Sequence, residues 1–301
     1  MGLYLFSKPL LSAMNSLKDT QNGLDTVYQR LSTGKRINSA KDDPAGFMIS
    51  SRLTSEINGL QQGSRNASDG IAFAQTVEGA LDEVTTILQR IRTLAIQSAN
   101  GTNTTDDRLA LTKEAEALSN EINRIFNKTT YAGSKIFVAN NGTDKTLMDG
   151  NGEIKIQVGA YADDTISIRL DRNGYSLSKI GANYNFEENS DGFVIKNNEL
   201  CFALSTAKDA EAVIDAVDYF LKAVDGTRGD LGAVMSRLES AIRINDNTRV
   251  NVADARSRIM DTDYAEETAN LISLQIKQSA AISVMKMLRS QQSMILSLLQ
   301  Q

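Results

Sequence analysis

Leu10, Met14, Leu17, Gln21, Leu24, Tyr28 and Leu31 succeed one another by alternating steps of four and three residues. This is the a/d spacing of a helical seam about three heptads long. The far end of the chain repeats it in Leu271, Leu274, Gln278, Ala281, Met285, Leu288, Gln292, Ile295 and Leu299. One apolar stripe cannot bury itself, so each terminal helix needs a partner. A chain with such a stripe at both ends either joins its ends or buries them against other molecules.

Three interior seams follow the same rule. Ala74, Val77, Leu81, Val84, Leu88, Ile91 and Ala95 form one, and Leu111, Ala115, Leu118, Ile122 and Ile125 another. The last runs through Val213, Val217, Phe220 and Val224, then Leu231, Val234, Leu238 and Ala241, towards Val252. Gly226 and Gly229 weaken that helix between its halves. Between about 130 and 205 the texture changes. Asn141-Gly142, Asp149-Gly150, Asn151-Gly152, Asn173-Gly174 and Asp191-Gly192 are turn pairs, and the runs 153–158 and 165–170 alternate apolar with polar. They predict β-hairpins. The expected fold is mainly α with a small β region. Long antiparallel helices form a rod, with a terminal coiled coil from both chain ends and hairpins in the middle.

Composition removes whole classes of function. The chain of 301 residues has no His and one Cys. Serine–histidine, cysteine–histidine and histidine-zinc chemistry are therefore excluded, and Cys201 reads as a small buried apolar residue. Asp163-Asp164 is a poor acid/base pair, because neighbours on a strand face opposite ways. No catalytic, metal or cofactor site is expected. The net charge of −5 without a dense basic block argues against nucleic acid. The opening 19 residues lack a basic leader followed by a long apolar run, and no 18-residue apolar stretch occurs, so neither a cleaved signal nor a membrane insertion is expected.

Residues 29–46, QRLSTGKRINSAKDDPAG, form a turn-rich break after the first seam. Gly34 suits a helix C-cap, Ser39 and Asp42 suit N-caps, and Pro44 suits a first helical turn. The stretch resembles the spoke segment of bacterial flagellins. The likeness continues through 64–71 (SRNASDGI), 75–81 (QTVEGAL) and 88–94 (LQRIRTL), and again through 255–266 (ARSRIMDTDYAE) and the terminal LSLL of 296–299. Asp263 and Glu266 could form a capping box there.

This resemblance implies a small flagellin with a minimal variable region. Its divisions would be 1–42 as the N-terminal part of an inner coiled-coil domain, with a spoke hinge at 32–46; 43–175 as the N-terminal part of a middle helical and β domain; 176–204 as a short variable excursion; 205–253 as the C-terminal helix of the middle domain; and 254–301 as the rest of the inner domain. The implied function is a structural subunit, not an enzyme, exported unfolded, secreted, and folded on polymerisation into the flagellar filament. The polymerisation seams would be Leu10, Met14, Leu17, Leu24 and Leu31 with Leu271, Leu274, Ala281, Met285, Leu288, Ile295 and Leu299. Implied partners are other copies of the chain, a filament cap protein, a hook–filament junction protein and a secretion chaperone. The resemblance also implies an animal Toll-like receptor, through Leu88, Gln89, Arg90, Leu94, Gln97 and Glu114. Two other readings are a hook–filament junction protein, a relative of similar length, and a cytosolic coiled-coil scaffold.

Overall fold

The computed structural model describes residues 2–138, 146–149, 151–170, 175–183, 192–196 and 199–299; side chains at 2–7, 292 and 295–299 are not described. The turn pairs Asn141-Gly142 and Asn173-Gly174, with Gly150 and Asp191, lie outside these residues.

The heptad seams become helices: α1 (Gly2–Thr33), α2 (Pro44–Ala99), α3 (Thr105–Lys128), α5 (Ala207–Met260) and α6 (Tyr264–Leu299). Between α3 and α5 come three antiparallel hairpins and the short α4 (Leu177–Asn183). The hairpins pair β1 (Thr130–Tyr131) with β2 (Ser134–Lys135), β3 (Glu153–Gln157) with β4 (Thr165–Arg169), and β5 (Phe193–Lys196) with β6 (Glu199–Phe202). The alternating runs predicted as strands are β3 and β4.

Helix ends follow local chemistry. Gly34 ends α1 with φ +69°, its N–H donating to the Arg30 carbonyl at 2.8 Å; a side chain would be strained there. The N-cap of α2 is neither Ser39 nor Asp42 but Asp43, whose Oδ1 accepts the Ala45 and Gly46 N–H groups at 3.1 and 3.0 Å. Asp42 instead folds the preceding turn, accepting from the Asn38 and Ser39 backbone. Those bonds hold its carboxyl below the usual carboxylate range. Pro44 takes the first helical position, where no N–H is needed. Asp263 Oδ1 caps α6 through the Ala265 N–H at 2.8 Å. Gly226 and Gly229 do not divide α5, which runs unbroken from Ala207 to Met260.

The chain forms two units, Met1–Ile57 with Arg249–Gln301, and Asn58–Thr248. The second holds the main core. Val77, Leu81, Val84, Leu88 and Ile91 of α2 meet Ala115 and Ile122 of α3 and Val213, Val217, Phe220 and Val224 of α5, all with no exposed surface. Leu177, Ile180, Phe193, Leu200, Phe202 and Leu204 join the same core. The segment 176–204, expected as an excursion, thus supplies packing residues.

Polar side chains buried on the helices close one sheet edge. Ser119 Oγ accepts from Phe202 N–H at 3.2 Å, Thr112 Oγ1 accepts from Leu204 N–H at 3.1 Å, and Asn123 Nδ2 donates to the Leu200 carbonyl at 3.2 Å. Each satisfies a strand group that water cannot reach. Cys201 is fully buried, as its neighbours predict. Burial, reinforced by nearby Glu116, pushes its thiol above the ordinary range. Asp163 lies in the β3–β4 turn at φ +69°, so Asp163-Asp164 is a turn pair rather than a strand pair. Among the described residues no helix is long and apolar enough to cross a membrane.

Candidate interface on the paired terminal helices

In the first unit α1 and α6 pack antiparallel. Contacts descend in register: Arg30 Nη1 meets Glu267 Oε1 at 3.5 Å, the Tyr28 hydroxyl meets Gln275 Nε2 at 3.3 Å, and Gln278 Nε2 donates to Gln21 Oε1 at 2.7 Å. A β-carbon at Gly23 would stand 3.3 Å from Leu274 Cδ1, so the helices run close at that level. The turn after α1 and the turn before α6 are laced together. Arg36 N–H donates to the Met260 carbonyl at 2.6 Å, Thr262 N–H to the Gly34 carbonyl at 3.0 Å, and Arg36 Nη2 to the Ile259 carbonyl at 2.9 Å.

The α6 seam lies as its spacing predicts. Leu271, Leu274, Gln278, Ala281, Met285 and Leu288 are the half-buried positions, flanked by exposed ones. Ile295 and Leu299 fall outside the described side chains. The α1 seam is displaced by one residue in alternate positions. Leu10, Leu17, Leu24 and Leu31 are half-buried or buried, but their companions are Ala13, Thr20 and Val27. Met14 and Tyr28 are 50% and 49% exposed, and Gln21 is exposed as well. Both columns flank the same leucines, and a straight helix drifts relative to a heptad grid, so spacing alone allows either. The smaller side chains occupy the seam where α6 comes close. Sequence reasoning chose the larger ones and missed Ala13, Thr20 and Val27.

The pair leaves much apolar surface uncovered. Leu11 and Met14 on α1, and Ile272, Ile276, Val284, Met287 and Met294 on α6, are each between 48% and 65% exposed. Scattered apolar residues on a surface are ordinary, but a concentration along one helix pair marks an interaction face. The pair's polar groups hydrogen-bond across the seam, and it can act by adhesion.

The six residues expected to face a receptor divide. Leu88 and Leu94 are buried in the main core at 0% and 1% exposure. Gln89, Arg90, Gln97 and Glu114 are on the surface. Arg90 and Glu114 are joined to each other, Nε and Nη2 reaching one carboxylate oxygen at 3.0 and 2.6 Å.

Known proteins match nearly the whole chain. The family model of the bacterial flagellin N-terminal helical region matches residues 8–142, and that of the C-terminal helical region matches residues 214–299. Flagellin B of Vibrio anguillarum is 35% identical over 364 aligned positions, covering 96% of this chain and 97% of its own. Polar flagellin F of Vibrio parahaemolyticus is 32% identical with the same coverage. The alignments outrun the 301 residues of this chain, so the relatives carry additional segments. Among solved structures, a Vibrio parahaemolyticus protein described as flagellar hook-associated shares the fold, with TM-score 0.55 at 18% identity, covering 73% of this chain and 100% of its own.

Proposed function

The chain belongs to the bacterial flagellin family and is a structural, non-enzymatic subunit of the flagellar filament, and from that premise we propose that the α1–α6 pair is the part each subunit buries against its neighbours when the filament forms. The single observation behind this reading is the apolar surface that the pair leaves uncovered, with Ile276, Met287 and Leu11 all more than 60% exposed. Exposure of that surface to water is unfavourable, and association that buries it gains about 25 cal/mol per Å². An asymmetric contact that does not close on itself generates a helical filament rather than a ring. Residues 32–46 and 253–264, including the Arg36–Met260 and Gly34–Thr262 bonds, act as connectors that transmit register between copies.

The finer parts of the reading follow from the family. The subunit leaves the cell as an unfolded chain with a secretion chaperone, and its terminal helices order on assembly, association supplying the free energy that folding them alone lacks. It sits outside the cell, between a hook–filament junction protein and a filament cap protein. If an animal Toll-like receptor reads it, the surface available in the folded subunit is Gln89, Arg90, Gln97 and Glu114. Leu88 and Leu94 support that surface from beneath.

Truncation tests the central claim. The purified full chain, brought to polymerising conditions with ammonium sulfate, should give long uniform filaments in negative-stain micrographs. The chain ending after Asp261 should give none. Filaments from the truncated chain would reject the assignment.

A further inference from the structure

Among the described residues of the second unit, the outer edge of β4 is unpaired and lies along a groove. Register fixes which backbone groups face it. Leu170 N–H donates to the Gly152 carbonyl at 3.0 Å and Val158 N–H to the Asp164 carbonyl at 2.8 Å. With Ile154 opposite Ile168 and Ile156 opposite Ile166, the even-numbered residues are the hydrogen-bonded pairs. The N–H and C=O groups of odd-numbered residues therefore point away from the partner strand. On β3 that outer edge is covered at its two ends, where Asn66 Nδ2 donates to the Gln157 carbonyl at 2.9 Å, the Asp149 N–H donates to the Glu153 carbonyl and the Glu153 N–H donates to Asp149 Oδ1, leaving only Lys155 between them without a partner there among the described residues. On β6 it is covered by Ser119, Thr112 and Asn123. On β4 it is not: among the described residues, the Ser167 N–H and C=O and the Arg169 N–H have no partner at that edge.

The groove beside this edge has a volume of about 460 Å³, within the range of peptide and ligand clefts. One wall is Thr165, Ser167 and Arg169; the other is Asp230, Ala233, Val234 and Arg237 of α5. Those four follow the i, i+3, i+4, i+7 spacing, a single stripe of the helix. Its middle is small and apolar. Its ends carry opposite charges about 10 Å apart along the helix axis. Both are exposed, and among the described residues neither makes an ion pair or hydrogen bond, whereas Arg228 meets Asp82 at 3.0 Å and Arg92 meets Asp218 at 2.7 Å. The stripe also has a direction. Arg169 and Asp230 share the adjoining cavity with Thr227, while Ile166 clusters with Leu238. The anion therefore lies near the Arg169 end of β4 and the cation near its Thr165 end.

We infer that the β4 edge and the Asp230–Arg237 stripe form a docking site for an extended peptide of a partner protein, which adds a third strand to the β3–β4 hairpin. Backbone bonds to Ser167 and Arg169 supply the affinity, and side chains pointing at α5 supply the selectivity. The peptide that fits carries a basic residue over Asp230, a small apolar residue over Ala233 and Val234, and an acidic residue over Arg237. Same-face residues four apart on a strand span about 13 Å, within side-chain reach of both charges. In an antiparallel strand the basic residue comes first.

The probe is a peptide with fluorescein on its N-terminus, fluoresceinyl-Gly-Gly-Thr-Lys-Thr-Val-Thr-Glu-Thr-amide, titrated with the soluble full-length chain by fluorescence anisotropy. Binding near about 100 μM is expected, as suits a short edge-pairing segment. Two variants of the peptide, N-methylated on alternate sets of residues, separate strand addition from loose adhesion. Only the set whose amides face β4 should lose binding, by about tenfold or more. In the protein, R237E should weaken binding about two- to fivefold. The double variant D230K/R237E should prefer the peptide with Lys and Glu exchanged. Both positions are surface groups away from the core, and circular dichroism verifies folding. No binding up to about 1 mM, equal responses to the two methylations, or indifference to the charge exchange would overturn the inference.

Discussion

The seam of α2 and the seam of α1 read alike in the sequence and end differently in the molecule. Val77, Leu81, Leu88 and Ile91 retain no exposed surface, because they share one core with residues of both α3 and α5. Leu10, Leu17 and Leu31 are only half-buried, because α6 packs along α1 on one side and leaves its flanks exposed. A heptad stripe states that a helix needs a partner; it does not state how many, or whether they belong to the same chain. Burial separates the two cases. The second unit buries its seams within the chain, while the terminal pair leaves apolar residues exposed.

That contrast is broken most sharply by charge. Leu288→Asp places a carboxylate on the terminal seam, where assembly would bury it without a partner. The expected outcome is a soluble subunit that forms no filaments under ammonium sulfate, with the unfolding transition of the second unit unchanged by circular dichroism. Normal filaments would show that this seam is not a polymerisation contact. Phe220→Ala gives the opposite pattern. Phe220 is fully buried and packs edge-on against Phe202 at 5.6 Å. Its truncation should cost about 3–5 kcal/mol. For a unit of this size that lowers the melting midpoint by about 10 °C. A shift of a degree or two would mean that the core repacks.

A smaller effect sharpens the account of the closed edge. Ser119→Ala removes the acceptor of the Phe202 N–H. A buried donor left unsatisfied costs about 1–3 kcal/mol. Ser119→Thr keeps the hydroxyl and should recover part of the loss. Chemical denaturation of both variants distinguishes a hydrogen-bond loss, which threonine restores, from a packing loss, which it does not.

What could be read beforehand followed from period. The helices, the β3–β4 hairpin, Gly34 as a C-cap and the burial of Cys201 were all legible, because each rests on local spacing or local backbone geometry. The α1 seam was legible in its leucines but not in its companions. Choosing Ala13, Thr20 and Val27 over Met14, Gln21 and Tyr28 requires the distance to α6, which no local pattern contains. Asp43 lost to Asp42 and Ser39 for a related reason: all three cap well, and the turn decides which side chain reaches the first free N–H groups. The core role of 176–204 was hidden by composition, since Leu177, Phe193 and Phe202 are spread among polar residues that read as loop. The open β4 edge became visible only with the register and α5 in place.

The smallest expected effect belongs to the surface of the second unit. Arg92 Nε reaches Asp218 Oδ1 at 2.7 Å, and both side chains are well exposed. The hydrogen bond from Arg92, more than its charge, holds the Asp218 carboxyl below its ordinary value. A carboxyl depressed on folding adds stability above its unfolded pKa, near 3.8, and that contribution disappears as pH falls through the lower folded value. Solvent screens the pair, so Asp218→Asn should cost no more than about 1 kcal/mol at pH 7. It should become neutral in acid, below both values. A double-mutant cycle with Arg92→Ala, measured at pH 7 and again near pH 2, isolates the coupling. Coupling that survives acid would mean that Arg92 is held there by packing of its aliphatic stem rather than by charge.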